Sequence, residues 1–295
     1  MQTMNNKFKK ILLLYKRSAY RIYFLEGRGL SKKVSDPRLK QEMKYFQEIH
    51  EEHYRSLHGI IKVLMESGVR FDEAYRGKNL DYKKYDLIIT VGGDGTFLEA
   101  SRNVTNQAVL GVNSVPHHSV GNFCLTDLFG FSKVVEKIKN GKYKIEDLRR
   151  VRVQIDGQKT YQDALNDVLI CHQNPAFLCR YSLKIGSICE TQRSSGLWIA
   201  TPSGSTGAVH SAGGRAIKRD RKAFQYKPRE LYQGLFKPYK LKGGILSSEK
   251  KMEVLSLMRR GVIFIDGAHH KLSFEYGKRV KIGLSPQSLK TIRTV

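Results

Sequence analysis

Residues 86–96 restrict the fold more than any other stretch: Asp86-Leu-Ile-Ile-Thr-Val91 leads directly into Gly92-Gly93-Asp94-Gly95-Thr96. The first part is a short apolar run rich in β-branched residues, the pattern of a strand covered on both faces. Three glycines among the next four residues let the backbone turn sharply and leave it bare, so an anionic ligand can approach its N–H groups. Residues 96–102 then read as the start of a helix, which brings the positive end of a helix dipole to the same place. One carboxylate, Asp94, stands inside this turn. Next to phosphate it would be repulsive unless it takes a hydroxyl proton or holds a metal ion. An Asp cap on an ordinary glycine-rich turn is the plainer alternative.

The surrounding pattern is that of a parallel sheet. Residues 11–15 read as a first strand. Asp36-Pro37 is a helix start, with Asp as N-cap and Pro at the first helical position. Leu39, Met43, Phe46, Ile49, His53, Leu57, Ile60 and Leu64 recur every three or four residues up to a C-cap at Gly68. Val69-Arg70-Phe71 is expected as a second strand and residues 108–113 as a fourth. The order strand, helix, strand, strand, helix, strand predicts a doubly wound α/β domain with ligands beyond the carboxyl ends of its strands. Asn113 and the loop to Asp127 then belong at the same edge as Asp94. His50, His53 and His58 are expected on the helix surface, because His50-Glu51-Glu52-His53 lacks the H-E-x-x-H metal spacing. His117 and His118 are expected as solvated loop histidines or as phosphate contacts.

After a helix over 132–140 the texture changes. Val151 to Ile155, a turn at Asp156-Gly157, and the run to Ile170 predict a hairpin. Short alternating segments continue at 182–185, 262–265, 274–276 and 280–282. The expected architecture is therefore an α/β doubly wound domain over 1–128, a mostly β domain over 129–285 and a tail over 286–295. Between the strands, residues 214–244 interleave Lys218, Arg219, Arg221 and Lys222 with Phe224, Tyr226, Tyr232, Phe236 and Tyr239. A loop or lid beside a ligand is preferred there to a nucleic-acid surface.

Composition narrows the partners. The chain carries 52 Lys and Arg against 27 Asp and Glu, a net charge of +25 that suits polyanions. The basic residues are spread along the chain, so a solvated basic surface explains them as well, and nucleic acid is not the favoured partner. Cys124, Cys171, Cys179 and Cys189 have no C-x-x-C spacing and are expected as free thiols. No apolar run reaches membrane-spanning length, and residues 1–10 leave little room for a cleavable leader before the first strand. The expected location is the cytoplasm, with no membrane partner.

Gly92-Gly93-Asp94-Gly95-Thr96 resembles the motif shared by NAD kinases, diacylglycerol and sphingosine kinases, and 6-phosphofructokinases. Two further blocks, Ala164-Leu165-Asn166-Asp167-Val168 and residues 194–207 with Ser211-Ala212-Gly213-Gly214, resemble those of NAD kinases alone. The three stand in that family's order. The resemblance implies an NAD kinase, diacylglycerol kinase-like fold that phosphorylates the adenosine 2′-hydroxyl of NAD or NADH. The donor would be ATP with Mg²⁺, or polyphosphate. It implies Asp94 as the general base and Gly92, Gly93, Gly95 and Thr96 as phosphate contacts. Asn113, Asn166, Asp167, Ser195, Thr206, Gly207 and Ser211 would contact the nucleotides, no residue is assigned as a metal ligand, and a homodimer or larger homo-oligomer is expected. Ser195 and Ala208 depart from the Asp and aromatic residue of many bacterial relatives. Together with the longer loop 114–120, they look more like the mitochondrial-type, NADH-accepting branch. A lipid or sugar kinase of the same superfamily, and a non-catalytic dinucleotide or nucleic-acid binder, are the competing readings.

Overall fold

The computed structural model describes residues 4, 7–26, 36–156, 161–232 and 238–295. The predicted turn residue Gly157, the aromatic Phe236 and the stretch just before the long helix lie outside them. The chain forms two compact units, residues 1–146 with 290–295, and residues 147–289.

The first unit holds β1 (Ile11–Tyr15), α1 (Pro37–Glu66), β2 (Asp72–Tyr75), β3 (Leu87–Gly92), α2 (Asp94–Asn103), β4 (Ala108–Asn113), β5 (Cys124–Asp127), α3 (Leu128–Lys139) and β6 (Tyr143–Leu148). The second holds β7 (Val151–Ile155), β8 (Gln162–Ala164), β9 (Asp167–His172), β10 (Cys179–Ile185), β11 (Ile188–Ser194), β12 (Gly196–Ala200), α4 (Ala208–Ser211), β13 (Ala223–Arg229), β14 (Gly244–Ser247), β15 (Met252–Ser256), β16 (Gly261–Ile265), β17 (Lys271–Ser273) and β18 (Arg279–Leu284). The last strand, β19 (Leu289–Thr294), returns to the first unit and pairs in parallel with β4.

In the first unit the strand order is β2-β1-β3-β4-β19-β6, with β5 also on β4. β1 pairs in parallel with both β2 and β3, so the chain reverses its direction of travel across the sheet between β1 and β3. Such a switch point opens a crevice beyond the carboxyl ends of the strands. Every residue of β3 and of β4 is buried, as a strand covered on both faces must be. Leu57, Ile60 and Leu64 of α1 share one core with Phe131, Val134, Val135 and Ile138 of α3 and with Leu87, Ile89 and Val91. The alternate residues of β3 and β4 face the other side, where Phe97 of α2 meets Gly111.

The second unit is two six-stranded antiparallel sheets, β11-β10-β15-β18-β7-β8 and β14-β13-β12-β9-β16-β17. Their inner side chains, among them Val153, Leu183, Val254, Ile282, Ile170, Leu197, Phe224 and Ile263, form one apolar core.

Several expectations are corrected. β2 begins at Asp72, three residues after the predicted start, and α3 begins at Leu128, capped by Asp127, whose side chain accepts from Gly130 N. The units part at 146/147 rather than 128/129, and the predicted tail 286–295 contains the sheet strand β19 (Leu289–Thr294). The predicted lid contains β13, whose Phe224 and Tyr226 are buried in the core. β17 ends at Ser273, and Phe274, expected in a strand, is a buried core residue beyond it. The hairpin strand stops at Ala164: β8 pairs with β7, whereas β9 belongs to the other sheet, so Leu165 and Asn166 are a crossing between sheets.

His53 is fully buried rather than on the helix surface. Its Nε2 lies 2.8 Å from the Lys16 carbonyl and its Nδ1 2.8 Å from Ser114 Oγ. Nε2–H donating to the carbonyl and Nδ1 accepting from the hydroxyl satisfies both. Burial, and then Lys16 nearby, push its pKa down to about 4. With the folded value below the unfolded one, the unfolded chain binds the extra proton first. The stability this neutral histidine contributes is complete above its unfolded pKa of about 6.5 and is lost as pH falls towards 4. That loss is about 3 kcal/mol. His53→Gln, which keeps a donor and an acceptor but cannot titrate, should flatten the melting-temperature profile of the chain between pH 4 and 6.5. An unchanged acid-side slope in calorimetry would remove His53 as its source.

Candidate active site

The glycine-rich turn of the first unit follows β3. Helix α2 begins at Asp94, two residues before its predicted start, with Gly93 as N-cap. Asp94 and Gly95 therefore lie in its first turn, where backbone N–H groups have no partner within the helix. None of Gly92, Gly93 and Gly95 has a positive φ, so these glycines are needed for space rather than for a left-handed turn. A Cβ on Gly92 would lie 2.3 Å from Thr96 Oγ1, one on Gly93 would lie 2.7 Å from Ser119 Oγ, and one on Gly95 would lie 3.2 Å from Arg76 Nη1.

Asp94 is half-buried, and its Oδ1 accepts from Phe123 N at 2.9 Å. Its Oδ2 has no hydrogen bond among the described residues. The Phe123 ring stacks on Phe97, 5.2 Å between centroids, so the strut that holds Asp94 is anchored in the core on the α2 side. Asn113 is buried and its amide is committed to the loop that follows: Nδ2 donates to the Ser119 carbonyl at 2.8 Å, and Oδ1 accepts from Val115 N at 3.2 Å. Thr96 is also buried, its hydroxyl under Gly92 and without a partner among the described residues. These two shape the turn instead of lining its exposed face. His118 is exposed, with Nε2 at 3.6 Å from Glu52 Oε2 and its ring edge-on to Tyr45.

The second unit carries Asn166 and Asp167 at the crossing between sheets. There the chain leaves one ladder before entering the next, and three successive N–H groups lose strand partners. Asp266 supplies them: its carboxylate accepts from Leu165 N at 2.9 Å, Asn166 N at 2.7 Å and Asp167 N at 3.2 Å. Asp266 itself sits at φ +49, a strained conformation for a residue with a side chain. Arg150, buried, lies close enough to feel both Asp266 and Asp163, which oppose the downward pull of burial on its pKa.

On the other side of the crossing, Thr201 Oγ1 donates to the Leu165 carbonyl at 2.6 Å and accepts from Gly204 N at 3.1 Å. Gly204 runs so close that a Cβ would stand 2.0 Å from the Asn166 carbonyl oxygen. This contact brings Gly207 beside Asn166, with a Cβ there 3.9 Å from Nδ2. Thr206, Gly207 and Ser211 are exposed, whereas residues 201–205 are buried. Asn166, Asp167, Thr206, Gly207 and Ser211 thus gather on one end of the unit. Ser195 does not join them. It precedes β12, whose far end pairs Ala200 with Asp167, so five residues of strand, about 17 Å at 3.3 Å each, separate it from Asp167.

Asn166 Nδ2 donates to Asp167 Oδ2 at 2.9 Å. Burial, then the Asp266 charge, push the Asp167 carboxyl up to about 7, with the Asn166 bond opposing. Because the folded pKa is raised, the folded chain holds the extra proton between about pH 4 and 7, and the stability from it is lost as pH rises through 7. Asp167→Asn abolishes this titration, so the melting temperature of the variant relative to wild type should be higher at pH 8 than at pH 5. An offset independent of pH would show that Asp167 titrates normally.

A bare glycine turn with a lone carboxylate on a doubly wound unit, followed by a unit of two β-sheets with an Asn-Asp crossing, has parts that phosphoryl transfer to a nucleotide calls for. Comparison with known proteins agrees along most of the chain: the ATP-NAD kinase N-terminal domain matches residues 11–143, and the ATP-NAD kinase C-terminal domain matches residues 165–294. A protein of Oryza sativa subsp. japonica named probable NADH kinase is 32% identical over 229 residues, 70% of each chain. An NAD kinase of Methanopyrus kandleri is 31% identical over 220 residues, 72% of this chain and 74% of that one. The chain belongs to the ATP-NAD kinase family. Its fold is like that of an Archaeoglobus fulgidus NAD kinase solved in complex with ATP, with a TM-score of 0.67 and 20% identity over 97% of this chain and 94% of that one. It is also like yeast NADH kinase complexed with NADH, with a TM-score of 0.72 and 15% identity over 98% and 84%.

Asp266 is the residue that sequence reasoning missed. Asp266-Gly267 reads locally as a turn, and nothing local points to partners a hundred residues earlier. Its signal is the pairing of an isolated Asp with an Asn-Asp break between strands.

Proposed function

We propose that this chain transfers the terminal phosphoryl group of ATP to the 2′-hydroxyl of the adenosine ribose of NAD or NADH, releasing ADP and giving NADP or NADPH. The observation that carries this reading is the Asp94 carboxylate in the first turn of α2, one oxygen bonded by Phe123 N–H and the other open. The ribose oxygen attacks the γ-phosphorus, the bond from that phosphorus to the bridging oxygen of ADP breaks, and the hydroxyl proton passes to Asp94 Oδ2. An ionised Asp is a weak base, so orienting the hydroxyl contributes alongside accepting its proton. Phosphate oxygens are received by the first-turn N–H groups over the bare glycines. Asn166 takes an adenine edge and Asp167 the ribose hydroxyls, with Thr206, Gly207 and Ser211 bordering the dinucleotide. Inorganic polyphosphate offers the turn the same chemistry as ATP. The rice relative's name supports NADH as an acceptor beside NAD.

Among the described residues, no group of three or more His, Cys, Asp or Glu side chains could hold a metal ion. Mg²⁺ fits this chain as the companion of ATP, carried on the phosphates with Asp94 as the carboxylate of the turn, and would supply neutralisation of phosphate charge. A reducing compartment such as the cytoplasm suits the four free cysteines. No helix among the described residues is long and apolar enough to cross a membrane.

Asp94→Asn should keep the fold and lower phosphorylation by at least about a hundredfold, the range for a positioned acid–base group. The assay is formation of NADP or NADPH from ATP, Mg²⁺ and NAD or NADH by the purified chain. Turnover near that of wild type would take Asp94 out of the mechanism. Assembly as a homodimer or larger homo-oligomer belongs to the same proposal. Val120, 92% exposed, and Phe129, 83% exposed, give the first unit apolar surface for it. Sedimentation of the intact chain as a monomer at assay concentration would count against assembly.

A further inference from the structure

In the sheet of the first unit the carboxyl ends of β2, β1 and β3 stand side by side, and Tyr75, Tyr15 and Val91 are level in register. The residues that follow the first two are both cations, Arg76 and Lys16. Arg76 N donates to the Tyr15 carbonyl at 2.8 Å, and Lys16 N to the Val91 carbonyl at 3.3 Å, so both leave the sheet beside the glycine-rich turn. Arg76 reaches that turn directly, with Nη1 against Gly95. Lys16 is held from behind, since its carbonyl is the acceptor for the buried His53.

The charges here are not balanced locally. Lys16 is half-buried, and its ammonium has no hydrogen bond or ion pair among the described residues. Burial first, and then Arg76, lower its pKa, with Glu52 opposing. Arg76 has one loose ionic contact, Nε to Glu99 Oε2 at 3.9 Å, and the other oxygen of Glu99 is taken by Gly77 N. Two like charges near each other, one of them partly desolvated, favour an anion between them. The neighbouring N–H groups at the start of α2 favour the same sign. By contrast, Arg17 is paired with Glu26 and lies over the Tyr75 ring, so it is already engaged.

We propose that Lys16 and Arg76 grip the linked phosphates of the phosphoryl donor against the Gly92–Gly95 turn, and that they set donor affinity without contacting the dinucleotide. This rests on the kinase reading above for the identity of the donor, but the recognised chemistry is a chain of linked phosphates, whether from ATP or from inorganic polyphosphate. Lys16 serves as the central contact and Arg76 as the lateral one, its planar fork suited to two oxygens of one phosphate.

The test uses the intact chain and the variants Lys16→Met, Lys16→Arg and Arg76→Gln. Calorimetric titration with ATP and, separately, with inorganic tripolyphosphate should show each neutral variant losing at least about tenfold in affinity for both, as for a lost charge-assisted hydrogen bond. Lys16→Arg should retain most of the affinity. In the assay KM for ATP should rise while KM for NAD or NADH stays within about twofold. Lys16→Met removes only a partly desolvated charge, so its melting temperature should not fall. Unchanged tripolyphosphate affinity in the neutral variants, or parallel rises in both KM values, would overturn the assignment. Should the wild-type chain make no NADP or NADPH, the kinase reading fails, while tripolyphosphate binding still decides the role of the two cations.

Discussion

Much of the second unit depends on one carboxylate meeting three backbone N–H groups. A strand that leaves one sheet for another must break its ladder, and buried donors left without acceptors cost about 1–3 kcal/mol each. Asp266 accepts from Leu165, Asn166 and Asp167 at that break, which lets a core built from two separate sheets be threaded by one continuous chain. The same bonds decide where the Asn166 and Asp167 side chains go. The Asp266 charge is also one cause of the raised pKa of Asp167 beside it. Architecture and site chemistry therefore share a single anchor.

Close approach is the second constraint, and it acts in both units. Gly92 lies against Thr96, Gly93 against Ser119, and Gly204 against the Asn166 carbonyl. At each place a side chain would occupy the room that a neighbouring segment already fills. The backbone is bare at these places because it packs closely against itself. The strut from Phe123 to Asp94 follows the same logic, since a stacked aromatic pair holds the peptide that aims the carboxylate.

Local patterns were legible where a residue's role is settled by its neighbours in sequence. The all-buried β3, the Asp36-Pro37 start of α1 and the alternation of β7 and β10 all follow from side chains within a few positions. The bare turn at Gly92 is legible from its glycines, whereas the particular neighbours that need the room, Thr96 and Ser119, are visible only in the fold. Residues whose partners are distant escaped. His53 occupies a helical position that looks amphipathic either way, and only the Lys16 carbonyl and Ser114 make it interior. Phe224 and Tyr226 stand in a basic stretch that resembles a surface loop until β12 and β14 pair on either side of them. Ser195 shares a motif with Thr206 and Ser211 but stands at the opposite end of β12 from Asp167, a separation set by the rise of the strand.

β19 lies between β4 and β6 in the sheet order, yet the whole second unit intervenes in sequence between β6 and β19. The second unit is thus an insertion in the first, and its entry and exit are fastened together by Ser288 Oγ donating to Asp147 Oδ1 at 2.6 Å. During synthesis β5 can already pair with Gly111–Asn113 of β4, but the start of β4 at Ala108 and Val109 stays open until residues 289–294 have been made. That order of events exposes an unpaired edge of buried-type residues for as long as the inserted unit takes to emerge. A sandwich that closes early brings its own two ends together and shortens the loop that β19 must close, which lowers the entropic cost of the final pairing. The first unit is in this sense completed by the folding of the second.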